Sequence, residues 1–353
     1  MLDPIEQVMP CREQGELLSA LAGLNKLDAA PELACRMTGF LQDMAGRGLS
    51  GFTMTRLISA FNDRLTTRLI ELVASNHHLP PVDWCWLALG SEGRHEQTFV
   101  TDQDNGLIFS AVDGREAEAM RAVFLPFAQE VNQRLADCGF KLCSGGIMAG
   151  NSDWCLSLDE WRSQFIDWVR RPEPAALLNA SIFFDLRPLY GQQKLAEALR
   201  TLLLSMTRET TSFLHLMAAN ALQADVPLTY RSEIQVDDSG FLDLKKYGSR
   251  IFVDAARIFA LATGGASVNS AERLHASFAT VGLLEAECAA VDAAFSHILR
   301  LRLAQQLADQ AAGTEAGYKL KVSELNEVDR VILRESLKQA KRLQLRLKLN
   351  YAL

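Results

Sequence analysis

Residues 84–109, WCWLALGSEGRHEQTFVTDQDNGLIF, decide the fold. The apolar run from Trp84 to Leu89 has the length and composition of a buried strand. Gly90 and Ser91 end it, a polar segment follows from Glu92 to Gln97, and a second apolar run, Leu107 to Phe109, closes the stretch. Asp102-Gln103-Asp104 stands just before that second run. Residues i and i+2 of a strand share a face, so Asp102 and Asp104 aim two carboxylates at one point beside the Gly-Ser turn. Like charges held that close repel, and a bound cation stabilises them. Oxygen ligands suit Mg²⁺ or Mn²⁺. A Gly-Ser turn running into a helix N-terminus offers N–H groups and a hydroxyl to a phosphate. Together these parts describe metal-dependent transfer from a nucleoside triphosphate. A calcium loop is excluded: counted from Asp102, the positions that an EF-hand gives to Gly and Glu hold Leu107 and Asp113.

A Gly-Ser followed some ten residues later by Asp-x-Asp resembles the signature of the polymerase β nucleotidyltransferase superfamily. The fuller string GSEGRHEQ…TDQDN resembles one branch of it. That branch contains the bacterial uridylyltransferase of the PII nitrogen-signalling protein, and also a putative nucleotidyltransferase family with a companion C-terminal substrate-binding domain. The chain is identified as a member of the latter, and the likeness runs from about residue 50 onward. The resemblance implies an α+β fold, a polymerase β-type mixed sheet with flanking helices, followed by an all-helical C-terminal domain. It implies Asp102 and Asp104 as ligands of two Mg²⁺ ions about 3.5–4 Å apart, with Gly90 and Ser91 seating the β- and γ-phosphates. Arg94 adds charge at the phosphates or braces the aspartates, or else it simply pairs with Glu92, Glu96 or Asp102. Many members place a third catalytic carboxylate on the next strand. Residues 140–149 hold no acid, so Asp185 is the first candidate for that role and Asp153 the second.

The chain has 353 residues, enough for two or three domains. Its net charge of −7 argues against a nucleic-acid footprint, which needs a basic face. No apolar run reaches the length of a membrane span, and the N-terminus shows no signal peptide. Seven cysteines without a C-x-x-C pair read as reduced thiols, and the expected location is cytoplasmic. Cys138, Cys143 and Cys155 come nearest to clustering, but with no histidine among them they do not read as a zinc site.

In chain order the expected domains are an N-terminal helical region over 1–75, a catalytic domain over 76–191 and a helical substrate-binding domain over 192–353. Residues 15–45 read as helical, 45–53 as a Gly-rich break, and Thr53–Ala74 as a helix whose polar side holds Asn62, Asp63 and Arg64. His77 and His78 read as a solvated loop. A helix ends near Ala136, with Pro126 inside it as a possible kink, and FKLCSGGIMAGN, 140–151, reads as a third strand. Ser157 and Glu160 form a capping box. The helix it opens carries Trp161 and Trp168, which with Trp154 either stack a base or bury a helix face. AALLNASIFFDLR is apolar almost throughout and reads as a buried helix or a strand, with its length favouring helix. GFLDLKKYGSRIFVDAARIFAL, 240–261, resembles the part of related enzymes that faces the nucleotide, which makes Lys245 a candidate phosphate contact. A solvated turn is the equal alternative. The tail from Val331 reads as a bundle helix with a basic outer face.

The expected function is transfer of UMP or AMP from a nucleoside triphosphate to a hydroxyl, on a protein acceptor, in bacterial signalling. The alternatives are a nucleotide-binding regulatory module without activity and a small-molecule nucleotidyltransferase. In many relatives a cyclic-nucleotide-binding domain and paired CBS domains precede this unit. Neither fits the first 75 residues, so a separate sensory partner of that kind is expected.

Overall fold

The two apolar runs pair as antiparallel strands. In the computed structural model, which describes Ile5 and residues 11–353, β1 (Trp84–Ala88) lies against β2 (Asn105–Phe109), from Trp84 opposite Phe109 to Ala88 opposite Asn105. β3 (Cys155–Ser157) adds parallel to β2, and β4 (Arg187–Gly191) adds antiparallel to β1. The result is a mixed sheet in the order β3-β2-β1-β4, set among many helices, so the fold class is α+β.

The chain divides into two units. One takes the described residues of Met1–Gly48 with Thr53–Asp167 and Ile182–Leu203, the other Leu49–Phe52, Trp168–Ser181 and Leu204–Leu353. The first holds the four-stranded sheet. Its N-terminal helices are α1 (Arg12–Ala22), α2 (Ala30–Gly46) and most of α3 (Gly51–Ala74), where Phe40 meets Phe61 edge to face at 5.7 Å. After β1 comes the single turn α4 (Gly90–Gly93), and after β2 the long helix α5 (Gly114–Asp137). Pro126 does not break α5. Phe124 stacks on Phe109 at 5.3 Å and Phe127 packs on Trp84 at 5.4 Å, so aromatic rings fix α5 to the sheet. His77 is not a solvated loop residue: its Nε2 bonds Glu130 Oε2 at 2.8 Å and its ring stands on Phe127.

Two expectations about strands need correction. Residues 140–151 do not form the third strand. Among the described residues they make one isolated bridge, between Lys141 and Asp102, and accept one further bond from Asn105 N at Ile147 O, 3.2 Å, and the third strand is Cys155–Ser157. Gly146 takes a left-handed φ of 67° that turns the backbone away, and the loop is used instead to bond the segment beside it. The capping box does form, with Ser157 N donating to Glu160 Oε2 and Glu160 N to Ser157 Oγ, and it opens α6 (Leu158–Arg170). Trp161 is wholly buried and donates Nε1 to Leu107 O, so the tryptophan-bearing side of α6 is a packing face. The AALLNASIFFDLR segment gives α7 (Pro174–Phe183) and then runs into β4, a strand that periodicity did not separate.

The second unit takes the C-terminal part of α8 (Gln193–Glu209), then α9 (Thr211–Ala221), α10 (Arg250–Thr263), α11 (Ser270–Val281), α12 (Glu285–Ala311) and α13 (Glu327–Tyr351). It is not all-helical. β5 (Phe241–Asp243) and β6 (Lys319–Lys321) pair antiparallel, with buried Leu242 opposite buried Leu320. Three-residue strands are too short to show an alternation in the sequence. A π-helical turn, Lys245–Ser249, leads from β5 into α10, which is buried from Ile251 to Leu261.

Candidate active site

The DQD run extends β2 by one pleat. Asp104 O accepts from Leu89 N at 2.9 Å on the β1 side, while Gln103 N donates to Lys141 O at 2.8 Å on the other. Side chains alternate as a strand requires: Gln103 and Asn105 are each 1% exposed, and Asp102 and Asp104 are half-buried on the opposite face. The two carboxylates expected to act together therefore share a face.

The hidden face is a polar network that the sequence reading did not identify. Gln103 Nε2 donates to Asn132 O and Phe140 O, at 3.0 and 3.1 Å. Asn132 Nδ2 bridges Gln103 Oε1 at 2.8 Å and Asn105 Oδ1 at 3.0 Å. Asn105 Oδ1 also accepts from Ala149 N, and Asn132 Oδ1 accepts from Gly150 N, both at 2.8 Å. A buried network with its members satisfied is rigid. It locks the strand carrying the aspartates to α5 and to the 140–151 loop. The signal in the sequence was the alternation of acid and amide in D-Q-D-N.

The Gly-Ser turn is tied to Asp104 by space. Gly90 takes a φ of 52°, and a Cβ there would stand 2.6 Å from Asp104 Oδ2. A side chain at 90 would thus be strained and would also displace the carboxylate. Ser91, the second residue of α4, is half-buried. Gly93 leaves room for the chain beyond: a Cβ there would meet Asp185 O at 2.1 Å and Ala88 O at 2.9 Å.

Arg94 and Asp185 come together. Arg94 donates Nε to Glu96 Oε2 at 2.8 Å and a terminal N–H to Asp185 Oδ2 at 2.6 Å. Glu96 was one of the partners weighed for Arg94. Asp185 was not, and it is wholly buried. Asp153 is exposed in the short turn before β3, its N–H bonded to Asn151 Oδ1. Lys245 belongs to the second unit, where its ammonium lies 4.3 Å from the centre of the Tyr318 ring and donates to Tyr318 Oη at 3.2 Å.

A second charged group surrounds Glu92. Burial, with Asp63 and Asp104 nearby, pushes the Glu92 carboxyl up to about 8, against the opposing pull of Arg187. Asp63 is raised by burial although Arg187 bonds it at 2.8 Å. His95 has a left-handed φ of 57°, and burial beside Arg187 and Arg56 lowers its pKa. Leu18, Leu21, Asp63, Arg64, His95 and Arg187 line a pocket of about 780 Å³. Asp102 and Asp104 do not line that pocket.

A donor set of carboxylate oxygens on one face, with one carboxylate pressed on a glycine turn, suits a hard divalent cation. A family model described as a putative nucleotidyltransferase matches residues 36–175, and a second, described as a putative nucleotidyltransferase substrate binding domain, matches residues 211–351. A search of curated proteins gives no match. The Gly90 turn, Asp102 and Asp104 lie within the first match and Lys245 within the second, while Asp185 falls between them. Both parts of the pair are present, in order, over most of the sequence, and the chain belongs to the putative nucleotidyltransferase family.

Proposed function

We propose that the chain moves a nucleoside monophosphate from a triphosphate to a hydroxyl acceptor at the Gly90–Asp104 site. In that reaction the acceptor oxygen bonds the α-phosphorus, the bond from the α-phosphorus to the bridging oxygen breaks, pyrophosphate leaves, and the hydroxyl proton passes to solvent. The observation that carries the reading is the shared face of Asp102 and Asp104, with the Asp104 carboxylate set against the left-handed turn at Gly90. Asp102 and Asp104 would hold Mg²⁺ or Mn²⁺. When bound, such an ion supplies positive charge to the phosphates and makes the acceptor hydroxyl easier to deprotonate.

The remaining roles fall to the chain itself. The turn at Gly90 presents the Ser91 hydroxyl and backbone N–H groups to phosphate oxygens. Gln103, Asn105 and Asn132 keep the aspartate face from moving, so that little reorganisation is needed when charge develops. Arg94 is held by Glu96 and Asp185, which gives it and Asp185 a positioning role. A wholly buried carboxylate already bonded to an arginine is a poor base for an incoming hydroxyl. Lys245 has a part in substrate binding on its charge alone. Transfer of UMP or AMP and a protein acceptor rest on the resemblance to the PII uridylyltransferases, a sensory partner on the cyclic-nucleotide-binding and CBS domains of related chains, and a cytoplasmic setting on seven cysteines without a C-x-x-C pair.

A second reading, nucleotide binding without transfer, is favoured by one observation: neither β3 nor residues 140–151 supply a third acid. Titration calorimetry with ATP and UTP, with and without Mg²⁺, followed by labelled transfer in a lysate, separates the two. The enzyme reading expects Mg²⁺-dependent binding and a labelled acceptor. Binding with no label on any molecule supports the second reading. Asp102→Asn should abolish the Mg²⁺ dependence while the melting temperature of the free protein holds or rises, since one of two repelling charges is gone. A clear loss of stability with unchanged Mg²⁺ binding would show the pair to be structural.

A further inference from the structure

A cluster in the second unit has the composition of a different metal site. His275 projects from α11, and Cys288 and Asp292, four residues apart on one side of α12, meet it. His275 Nδ1 lies 3.3 Å from Cys288 Sγ, Nε2 lies 4.0 Å from the same sulfur, and Nε2 contacts Asp292 Oδ2. One ligand atom from each residue falls within 4.8 Å of the others. Four ligands arranged tetrahedrally about zinc at ordinary bond lengths stand about 3.5 Å apart, so a turn of the half-exposed imidazole that brings one ring nitrogen to face both Sγ and the carboxylate closes the set on an ion. Asp292 Oδ1 is buried and has no hydrogen-bond partner among the described residues. A buried oxygen left in that state is costly, and a cation would satisfy it.

We propose that His275, Cys288 and Asp292 bind one transition-metal cation of the zinc class. The choice follows from the donors. A thiolate and an imidazole favour zinc-like ions over Mg²⁺ or Ca²⁺. As the sulfur–metal bond forms, the Cys288 thiol gives its proton to solvent, and no oxidation state changes. Cys288 is buried and the His275 side chain is 55% exposed, so the ion enters over the imidazole and keeps one position open to water. Bound there, it ties α11 to the start of α12 across the connection at Gly282–Leu284.

The same residue types could instead form a nucleophile, base and acid. Proton transfer to Nδ1 needs the sulfur on the lone-pair axis of that nitrogen, where it would stand much farther from Nε2 than from Nδ1. The two distances are 3.3 and 4.0 Å. The sulfur therefore lies beside the ring, off the axis that a general base requires.

The test uses the full chain, stripped of metal and titrated with Co²⁺ and then Zn²⁺. One Co²⁺ per chain should give a thiolate-to-cobalt charge-transfer band that Zn²⁺ removes and excess Mg²⁺ leaves unchanged. Cys288→Ser should lose the band. His275→Ala and Asp292→Asn should each weaken Zn²⁺ binding at least ~tenfold, as loss of a ligand or its support does. Cys35→Ser, at an exposed cysteine, should change nothing. His275 is exposed, so its variant keeps the test valid if the buried cysteine variant fails to fold. Zn²⁺ should raise the melting temperature of the wild type and not of His275→Ala. Absence of the band in the wild type, a band that survives Cys288→Ser, or Zn²⁺ affinity unchanged in His275→Ala each overturns the proposal. So does rapid alkylation of Cys288 that Zn²⁺ does not slow, which would mark a nucleophile.

Discussion

The Gly90–Asn105 segment of the first unit and the Leu244–Ser249 turn of the second start from the same material, a glycine-containing bend with charged side chains. They hold it in opposite ways. In the first, Gly90 is left-handed, Gly93 faces two carbonyls, Arg94 is tied to two carboxylates, and Gln103 and Asn105 are sunk in a network. In the second, the ammonium groups of Lys245 and Lys246 lie over the Tyr318 and Tyr247 rings, 4.3 and 4.8 Å from their centres. Asp243 Oδ1 accepts from the N–H groups of both lysines, and Gly248 faces one isoleucine side chain. Two acids carried on one strand face need a backbone determined from several sides. Charges left at a surface need only a platform.

The contrast breaks most easily at its glycines. Gly93→Ala would place a methyl 2.1 Å from Asp185 O and 2.9 Å from Ala88 O, both main-chain atoms. Neither can move without moving a strand or its approach, so the cost should be about 3 kcal/mol, at the upper end for overpacking. Gly248→Ala meets the Cγ2 atom of buried Ile298 at 3.0 Å, a single side-chain contact that has to give by only a few tenths of an ångström. The helix-propensity gain of about 1 kcal/mol then offsets the contact. Calorimetric melts of the two variants should differ by several degrees. Equal losses would mean that the two bends are equally constrained.

Glu92 sharpens the same point through pH. Its carboxyl stands at about 8 in the folded chain, above the roughly 4.3 of a free glutamate. Between those values the unfolded chain has released a proton that the folded chain keeps. Stability from this group is therefore full below the unfolded value, is lost as pH rises, and levels off above the folded one. Each pH unit in that window is worth at most about 1.4 kcal/mol, and water admitted on ionisation absorbs part of it. Against Glu92→Gln, which stays neutral, the wild type should lose about 2–3 kcal/mol more between pH 5 and 8; His95, whose lowered pKa acts with the opposite sign over the acid part of that range, is common to both chains and drops out of the difference. Parallel profiles in urea melts would place Glu92 in contact with solvent.

Asn105→Ala removes the acceptor that Asn132 Nδ2 and Ala149 N share. Two buried donors lose a partner, at a cost of about 2 kcal/mol. Because Asp104 is the next residue, Mg²⁺-dependent nucleotide binding should weaken as well. A stable variant with unchanged binding would mean that the amide face does not position the acid face.

What the sequence made legible divides along the same line. The strand pair around Gly90 was readable because apolar runs of that length bury themselves, and the common face of Asp102 and Asp104 followed from strand period alone. The D-Q-D-N alternation puts Gln103 and Asn105 on the face opposite the acids, but Gln and Asn are ordinary surface residues, and only tertiary neighbours show that this face meets α5. The third strand was misplaced because the glycines at 145 and 146 turn the loop at 140–151 back on itself, and a short CLS run pairs in its place. Asp185 sat beside a recognisable Arg-bearing segment, but its partner Arg94 lies 91 residues away, a separation that no local pattern spans. The β5–β6 pair and the meeting of His275 with Cys288 are likewise products of long-range packing.

The smallest effect is expected at Lys245. Its ammonium rests on Tyr318, and the Arg302 guanidinium lies over the same ring at 5.6 Å. An exposed cation over an aromatic ring contributes about 0.5–1 kcal/mol, and here removal of one cation leaves the other on the platform. The turn itself is held by Asp243 Oδ1 through backbone N–H groups that Lys245→Ala keeps. The variant should thus lose less than about 0.5 kcal/mol, while Tyr318→Ala, which takes the platform from both cations, should lose more. Urea melts of the two single variants and the double variant give the coupling between Lys245 and Tyr318, and it should stay below about 1 kcal/mol. A loss at Lys245→Ala as large as that at Gly93→Ala would make the second bend as rigid as the first, and the division between a held site and a supported surface would fail.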